Sequence, residues 1–213
     1  MNILFEDGEA LVIDKPAGLP VDPSRAGGVS LSDRLGELKL GFHREPVPVH
    51  RLDRDTSGCL LLARNPKAVK RFAAAFEQRL PEKHYLGIVR GLPNEDSGVI
   101  DAPLAKTSTR ETGWRMVIAQ GGKPSVTHWS VSAREGDLTL LAFRLETGRT
   151  HQIRVHVADA LGLPLLGDPV YGSPEGVRRT MLHASRFVMP REGKTTIDAT
   201  APLPADFVEL GFS

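Results

Sequence analysis

With 213 residues, 40% of them hydrophobic and 25% charged, the chain can bury a sizeable core, which excludes wholesale disorder. The formal net charge of +1 makes no case by itself for a polyanionic partner. The charge is unevenly spread, however: His43 to Arg90 carries ten Lys/Arg against five Asp/Glu, which fits a polyanion-binding face and a solvated helix surface equally well. Cys59, the single cysteine, excludes an intramolecular disulfide and reads as a small core residue. No HExxH or Cys/His ligand spacing occurs among the histidines, so no metal is implied. No apolar run approaches the length of a membrane span, and the start, MNILFEDGEALVIDKPAG, lacks the order of a signal peptide. A soluble, cytoplasmic protein is expected.

In chain order, ALVIDKPAGLPV predicts a short strand stopped by Pro16 and Gly18, and VSLSDRLGELK a short helix with Ser30 as N-cap. CLLLARN reads as a buried strand. Asn65 then caps a helix with Pro66 in its first turn, and Val69, Phe72, Ala73, Phe76 and Leu80 recur at helical spacing. KHYLGIVRG, WRMVIA, SVTHWSVSA and LTLLAFRLE follow as strands divided by turns, with Trp129, Val131 and Ala133 alternating onto one face. After ETGR the period changes, and Ile153, Val157 and Leu161 mark a helix that Gly162 ends. Arg154, offset by one from Ile153, then falls at the core's edge, where it can point into a cleft. Strands outnumber helices and follow one another directly, which predicts an α+β fold with a mainly antiparallel sheet. Without a repeat or a long linker, residues 1–213 read as a single domain, with two closely joined lobes as the variant.

The stretch PVHRLDRDTSGCLLLARNPKA packs charge at the mouth of an apolar strand. Its Asp-Thr-Ser-Gly is not an aspartic-protease motif, because the order differs and no second copy supplies the partner carboxylate. A polar turn tied by surface ion pairs would imply nothing about the rest of the chain.

The rest of the chain does bear on it. VHRLDRDTSG resembles the HRLDxxTSG motif of the RluA-type pseudouridine synthases, and DKPAGLPV, KHYLGIVRG, TGRTHQIRVH, GDPVYG, MLHA and APLPADF match that family in order over essentially the whole chain. Asp14 and Asp22 stand where many relatives carry Asn and His. The resemblance implies a mixed central sheet with helices and loops around an RNA-binding cleft, and isomerisation of uridine to pseudouridine in RNA. That reaction is redox-neutral, so no cofactor is expected.

By resemblance, the catalytic carboxylate is Asp53, with Arg154 as the guanidinium that favours its charged form and Tyr85 as a flat face for a flipped uracil. Attack on C1′, addition to the base and removal of a sugar proton are all open to Asp53. Arg51 matches the motif arginine and could fill the vacated stack or hold a phosphate, while Arg54 occupies a variable position and reads as a phosphate or surface contact. Arg149 and His151 flank Thr150 where the predicted helix starts; RNA phosphate is one candidate there and a simple helix cap the other. Leu182 and Ile153 are assigned to the uracil pocket. Gly58 is expected to allow close packing behind Asp53, and Asp55 to point away. The first predicted strand begins near Ile3, so no S4 domain is expected, and the substrate would be a stem-loop of tRNA or rRNA bound by a monomer. A non-catalytic RNA-binding protein would not require Asp53, Tyr85 and Arg154 together.

Overall fold

The computed structural model describes residues 1–23, 27–111 and 113–213. Its elements, in order, are β1 (Ile3–Glu6), β2 (Ala10–Lys15), a 3₁₀ segment (Ser32–Leu38), β3 (Val47–Pro48), β4 (Ser57–Ala63), α1 (Pro66–Glu77), β5 (Glu82–Arg90), β6 (Ser97–Asp101), β7 (Leu104–Thr109), β8 (Gly113–Ile118), β9 (Val126–Glu135), β10 (Leu138–Leu145), α2 (Gln152–Leu161), β11 (Leu182–Met189), β12 (Ile197–Thr200) and α3 (Ala205–Val208). They fall into two compact units: Met1–Lys83 with Ala184–Pro202, and His84–His183 with Leu203–Ser213. The strand-rich, mainly antiparallel α+β architecture is the one the sequence predicts. Among the described residues no helix is long and apolar enough to cross a membrane.

In the first unit β4 is buried along its whole length, hence its unbroken apolar run. It pairs antiparallel with β2 from Ala63↔Ala10 to Gly58↔Lys15, and β2 pairs with β1. Val12, Leu61, Phe72, Phe187 and Ile197 share one core. Asn65 caps α1 as expected: its backbone is extended, its side-chain oxygen accepts the Ala68 N–H at 2.9 Å, and Pro66 follows at the first helical position. The buried stripe of α1 is Ala68, Phe72 and Ala75, with Val69 and Phe76 partly packed; Ala73 is exposed, and Leu80, also exposed, lies beyond the helix end at Glu77. The segment after Ser30 is also shorter than expected. It forms a 3₁₀ turn flanked by Leu31, and the Ser30 N–H and hydroxyl both donate to Asp33 Oδ2, at 2.8 and 2.7 Å. Gly36 within this short segment disfavours a regular α-helix, and no side chain caps its start.

Two features of this unit fix the segment between β3 and β4. Gly58 has φ +104°, and a Cβ there would lie 2.2 Å from the Ala184 carbonyl oxygen, so the close packing expected of it is real. The His50 ring stacks on Phe187 at 5.5 Å and lies against Phe76 at 5.2 Å, while its Nε2 accepts the Leu61 N–H at 3.0 Å. Burial of the ring, with Lys83 adding repulsion, pushes its pKa down to about 3. Cys59 is the expected core residue, and burial pushes its thiol up to about 12.

The second unit orders its strands β5-β10-β9-β6, each pairing antiparallel, with β7–β8 as a separate hairpin. Ile88, Leu140, Leu166, Met181, Phe207 and Phe212 form a core to which α3 contributes. The expected alternation of Trp129, Val131 and Ala133 fails at its last member. Register runs Phe143↔Trp129 and Leu141↔Val131, then Leu140↔Ala133, so Ser132 is an unpaired extra residue and Ala133 turns onto the Leu140 side. Gly162, with φ +67°, ends α2 as predicted.

Gly58→Ala should lower stability by more than about 1 kcal/mol, since it meets both an unfavourable φ and a backbone collision; chemical denaturation measures it. Acid sensitivity should begin early. His50 has a folded pKa below its ordinary 6.5, and burial lowers that of His156 too, so the folded state binds fewer protons than the unfolded chain. Stability should therefore be full above pH 6.5 and decline as pH falls towards about 5, before most carboxylates titrate. In thermal melts across that window, His50→Gln should flatten the decline.

Candidate active site

The motif aspartate sits on a segment held from both sides. His50 anchors its start to β4, and the Thr56 N–H donates to the Asp53 carbonyl at 3.2 Å, closing the turn before β4. From the other side comes Lys15, at the end of β2 and fully buried. Its ammonium donates to the carbonyls of Pro16 at 2.8 Å, Leu19 at 2.9 Å and Arg54 at 3.1 Å. An ammonium removed from water is tolerated only when its three donors are satisfied, so the DKPAG turn and the peptide following Asp53 are tied into one framework. Asp53 itself is partly exposed on it. Arg54 Nε donates to the Gly18 carbonyl at 3.2 Å, and exposed Arg51 lies 3.6 Å from Asp22.

The other expected site residues lie in the second unit. Arg154, on α2, is only 7% exposed rather than open at the core's edge. Its Nε and Nη2 donate to the two oxygens of fully buried Asp168, at 2.7 and 2.8 Å. Burial pushes the Asp168 carboxyl up, but Arg154 and the N–H groups of Val170 and Tyr171 outweigh it and hold the pKa below the ordinary value. Two guanidiniums lie over the Tyr171 ring, Arg115 at 5.0 Å and Arg154 at 5.2 Å from its centre. Its hydroxyl accepts the Met116 N–H at 3.0 Å and shares a hydrogen bond with His151 Nδ1 at 2.9 Å, while burial raises its pKa.

His151 itself precedes α2 with φ +55° and makes no side-chain cap. The Gln152 side chain instead folds back onto the loop before the helix, accepting the Arg149 N–H at 3.0 Å; Arg149 Nε reaches the Pro124 carbonyl at 3.3 Å. Tyr85, 9% exposed on β5, faces Phe143 of β10. Gly87 shares the Tyr85 face of that strand, and a Cβ on Gly87 would lie 3.4 Å from Leu182 Cδ1, so Leu182 packs on the same face. Ile153 is buried on α2. The Leu182 carbonyl accepts from Arg179 Nη1 at 3.0 Å, and Arg179 forms a two-point pair with Asp206. Asp53, Arg51 and Arg54 thus belong to the first unit, and Tyr85, Arg149, His151, Ile153, Arg154 and Leu182 to the second.

Sequence reasoning passed over Lys15, His50, Asp168, Tyr171 and Arg179. The first four stand inside the quoted motifs DKPAG, VHRLD and GDPVYG, which was the available signal. Among the described residues no group of three or more His, Cys, Asp or Glu is placed to hold a metal ion.

Comparison with known proteins agrees with this reading of the motifs. Residues 9–159 match the family model described as RNA pseudouridylate synthase. An uncharacterized RNA pseudouridine synthase of Zymomonas mobilis is 53% identical over 99% of this chain and 97% of its own length. Ribosomal large subunit pseudouridine synthase D of Nitrosomonas europaea is 40% identical over 99% of this chain, which spans 64% of that protein. The solved structure of human RNA Pseudouridylate Synthase Domain Containing 4 superposes with a TM-score of 0.82 at 26% identity, covering 98% of this chain and 91% of that one. Motifs, fold and relatives converge: the chain belongs to the RNA pseudouridine synthases, which isomerise uridine to pseudouridine in RNA.

Proposed function

We propose that this chain isomerises a uridine in a stem-loop of ribosomal or transfer RNA, as a cytoplasmic monomer, with Asp53 as the reactive carboxylate. The name of the Nitrosomonas relative, which refers to the large ribosomal subunit, supports rRNA as a substrate. The observation that carries the assignment is the anchoring of the Asp53 segment. Buried Lys15 holds the Arg54 carbonyl and His50 holds the segment's start, so the partly exposed Asp53 is kept on a backbone with little freedom.

The reaction breaks the C1′–N1 bond and forms a C1′–C5 bond; N1 gains a proton and C5 loses one, with no electron transfer to a cofactor. Asp53 acts by attack on C1′, by addition to the base or by removal of a sugar proton, and in each role it is needed ionised. Arg154 supplies the positive charge that favours that form, and Tyr85, Leu182 and Ile153 receive the uracil. Arg51 stabilises the flipped state, and Arg54, Arg149 and His151 hold phosphates.

Asp53→Asn, which keeps the side-chain volume, should abolish pseudouridine formation in a structured RNA while RNA affinity stays within about threefold, because the cationic surface that dominates binding is untouched. Pseudouridine mapping and a filter-binding titration on the same preparation measure both quantities. Turnover by the folded variant would remove Asp53 from the chemistry.

A further inference from the structure

Away from the proposed reactive groups, the second unit contains a cavity of about 630 Å³ whose walls are the β7–β8 hairpin, the turn at Gly121–Lys123 and the segment Gly148–Thr150. Its chemistry is unlike that of a core void. Lys106, Lys123 and Arg149 line it together with Trp114 and Met116, and no carboxylate is among its lining residues. Register explains the grouping. Lys106 is opposite Met116, and Trp114 is two residues from Met116, so all three side chains share one face of the hairpin. The Trp114 indole is 42% exposed, with the Lys106 ammonium 5.6 Å from its ring centre. An exposed tryptophan beside three cations, in a cavity of nucleotide size, is the combination that holds a base by stacking and its phosphate by charge.

The cavity is also linked to Arg154 within the same unit. Trp114 meets the His151 ring edge-on at 5.1 Å, His151 meets Tyr171 at 5.6 Å, and Tyr171 lies 5.2 Å from the Arg154 guanidinium. These contacts connect the cavity to Arg154 through a continuous run of ring contacts within one unit.

We propose that this cavity is a subsite for a single-stranded nucleotide flanking the target uridine, its base stacked on Trp114 and its phosphates held by Lys106, Lys123 and Arg149. The proposal rests on the RNA-modifying reading above and deepens it. It assigns to the β7–β8 hairpin the selection of substrates whose target lies next to an unpaired residue, since a base locked in a duplex cannot enter the cavity.

Trp114 provides its own probe, because the only other tryptophan, Trp129, is buried. A short single-stranded oligoribonucleotide should quench tryptophan emission of the whole chain, and Trp114→Phe should abolish the quench. With a stem-loop substrate, Trp114→Ala should weaken binding by roughly 5- to 150-fold, the effect of one stacked base, and the loss in kcat/KM should lie in KM. Lys123→Ala should reduce the slope of log affinity against log salt by about one. No quench with wild-type protein, or Trp114→Ala binding RNA as wild type does, would overturn the subsite. Quenching by uridine monophosphate as strong as by the oligomer would replace it with a free-nucleotide site. Failure of the catalytic reading looks different: wild-type protein would show the Trp114 quench and yet form no pseudouridine.

Discussion

The Arg154 guanidinium lies almost wholly out of water, where Asp168 meets it with two parallel hydrogen bonds. Much of the second unit's functional surface is ordered from that pair. The same Asp168 carboxylate accepts the Val170 and Tyr171 N–H groups, which sets the backbone of GDPVYG. With that backbone set, the Tyr171 ring meets the Arg115 and Arg154 guanidiniums, and its hydroxyl reaches His151 and the Met116 N–H. Removing either member would break a buried, two-point ion pair. Loss of activity in an Arg154→Ala protein is therefore to be read alongside its stability.

The first unit solves a similar problem with neutral partners. Lys15, the last residue of β2, is fully buried, and its ammonium donates to three carbonyls from two separate loops. The opening puzzle of HRLDRDTSG, so much charge beside an apolar strand, has its answer there. Of its charged side chains, Arg51 and Arg54 remain accessible, while the backbone between them is fixed from below by Lys15 and from behind by the close approach of Gly58 to Ala184. Preorganisation of this kind places a carboxylate without requiring the substrate to order it.

Local signals were legible in the sequence. The Asn65 cap, the buried run of β4 and the glycine end of α2 all depend on residues within a turn or two of each other. Long-range pairings were not. Lys15 meets a carbonyl 39 residues away, Arg154 a carboxylate 14 residues away, and nothing in the local pattern of either names its partner. The Ser132 bulge was invisible for the same reason: which face Ala133 takes depends on the register with β10, not on the alternation within β9. The cavity at Trp114 is the sharpest case, since its cations come from three separate segments, and the tryptophan by itself reads as one more strand residue.

The dependence of the second unit on its buried pair is tested most directly by a double-mutant cycle between Arg154 and Asp168, read by urea denaturation. Arg154→Met and Asp168→Leu should each cost about 3–5 kcal/mol by breaking the buried pair, and the double variant should lose far less than the sum, because the pair's interaction can be lost only once. Losses that simply add would mean the two side chains contribute independently, and would contradict the account.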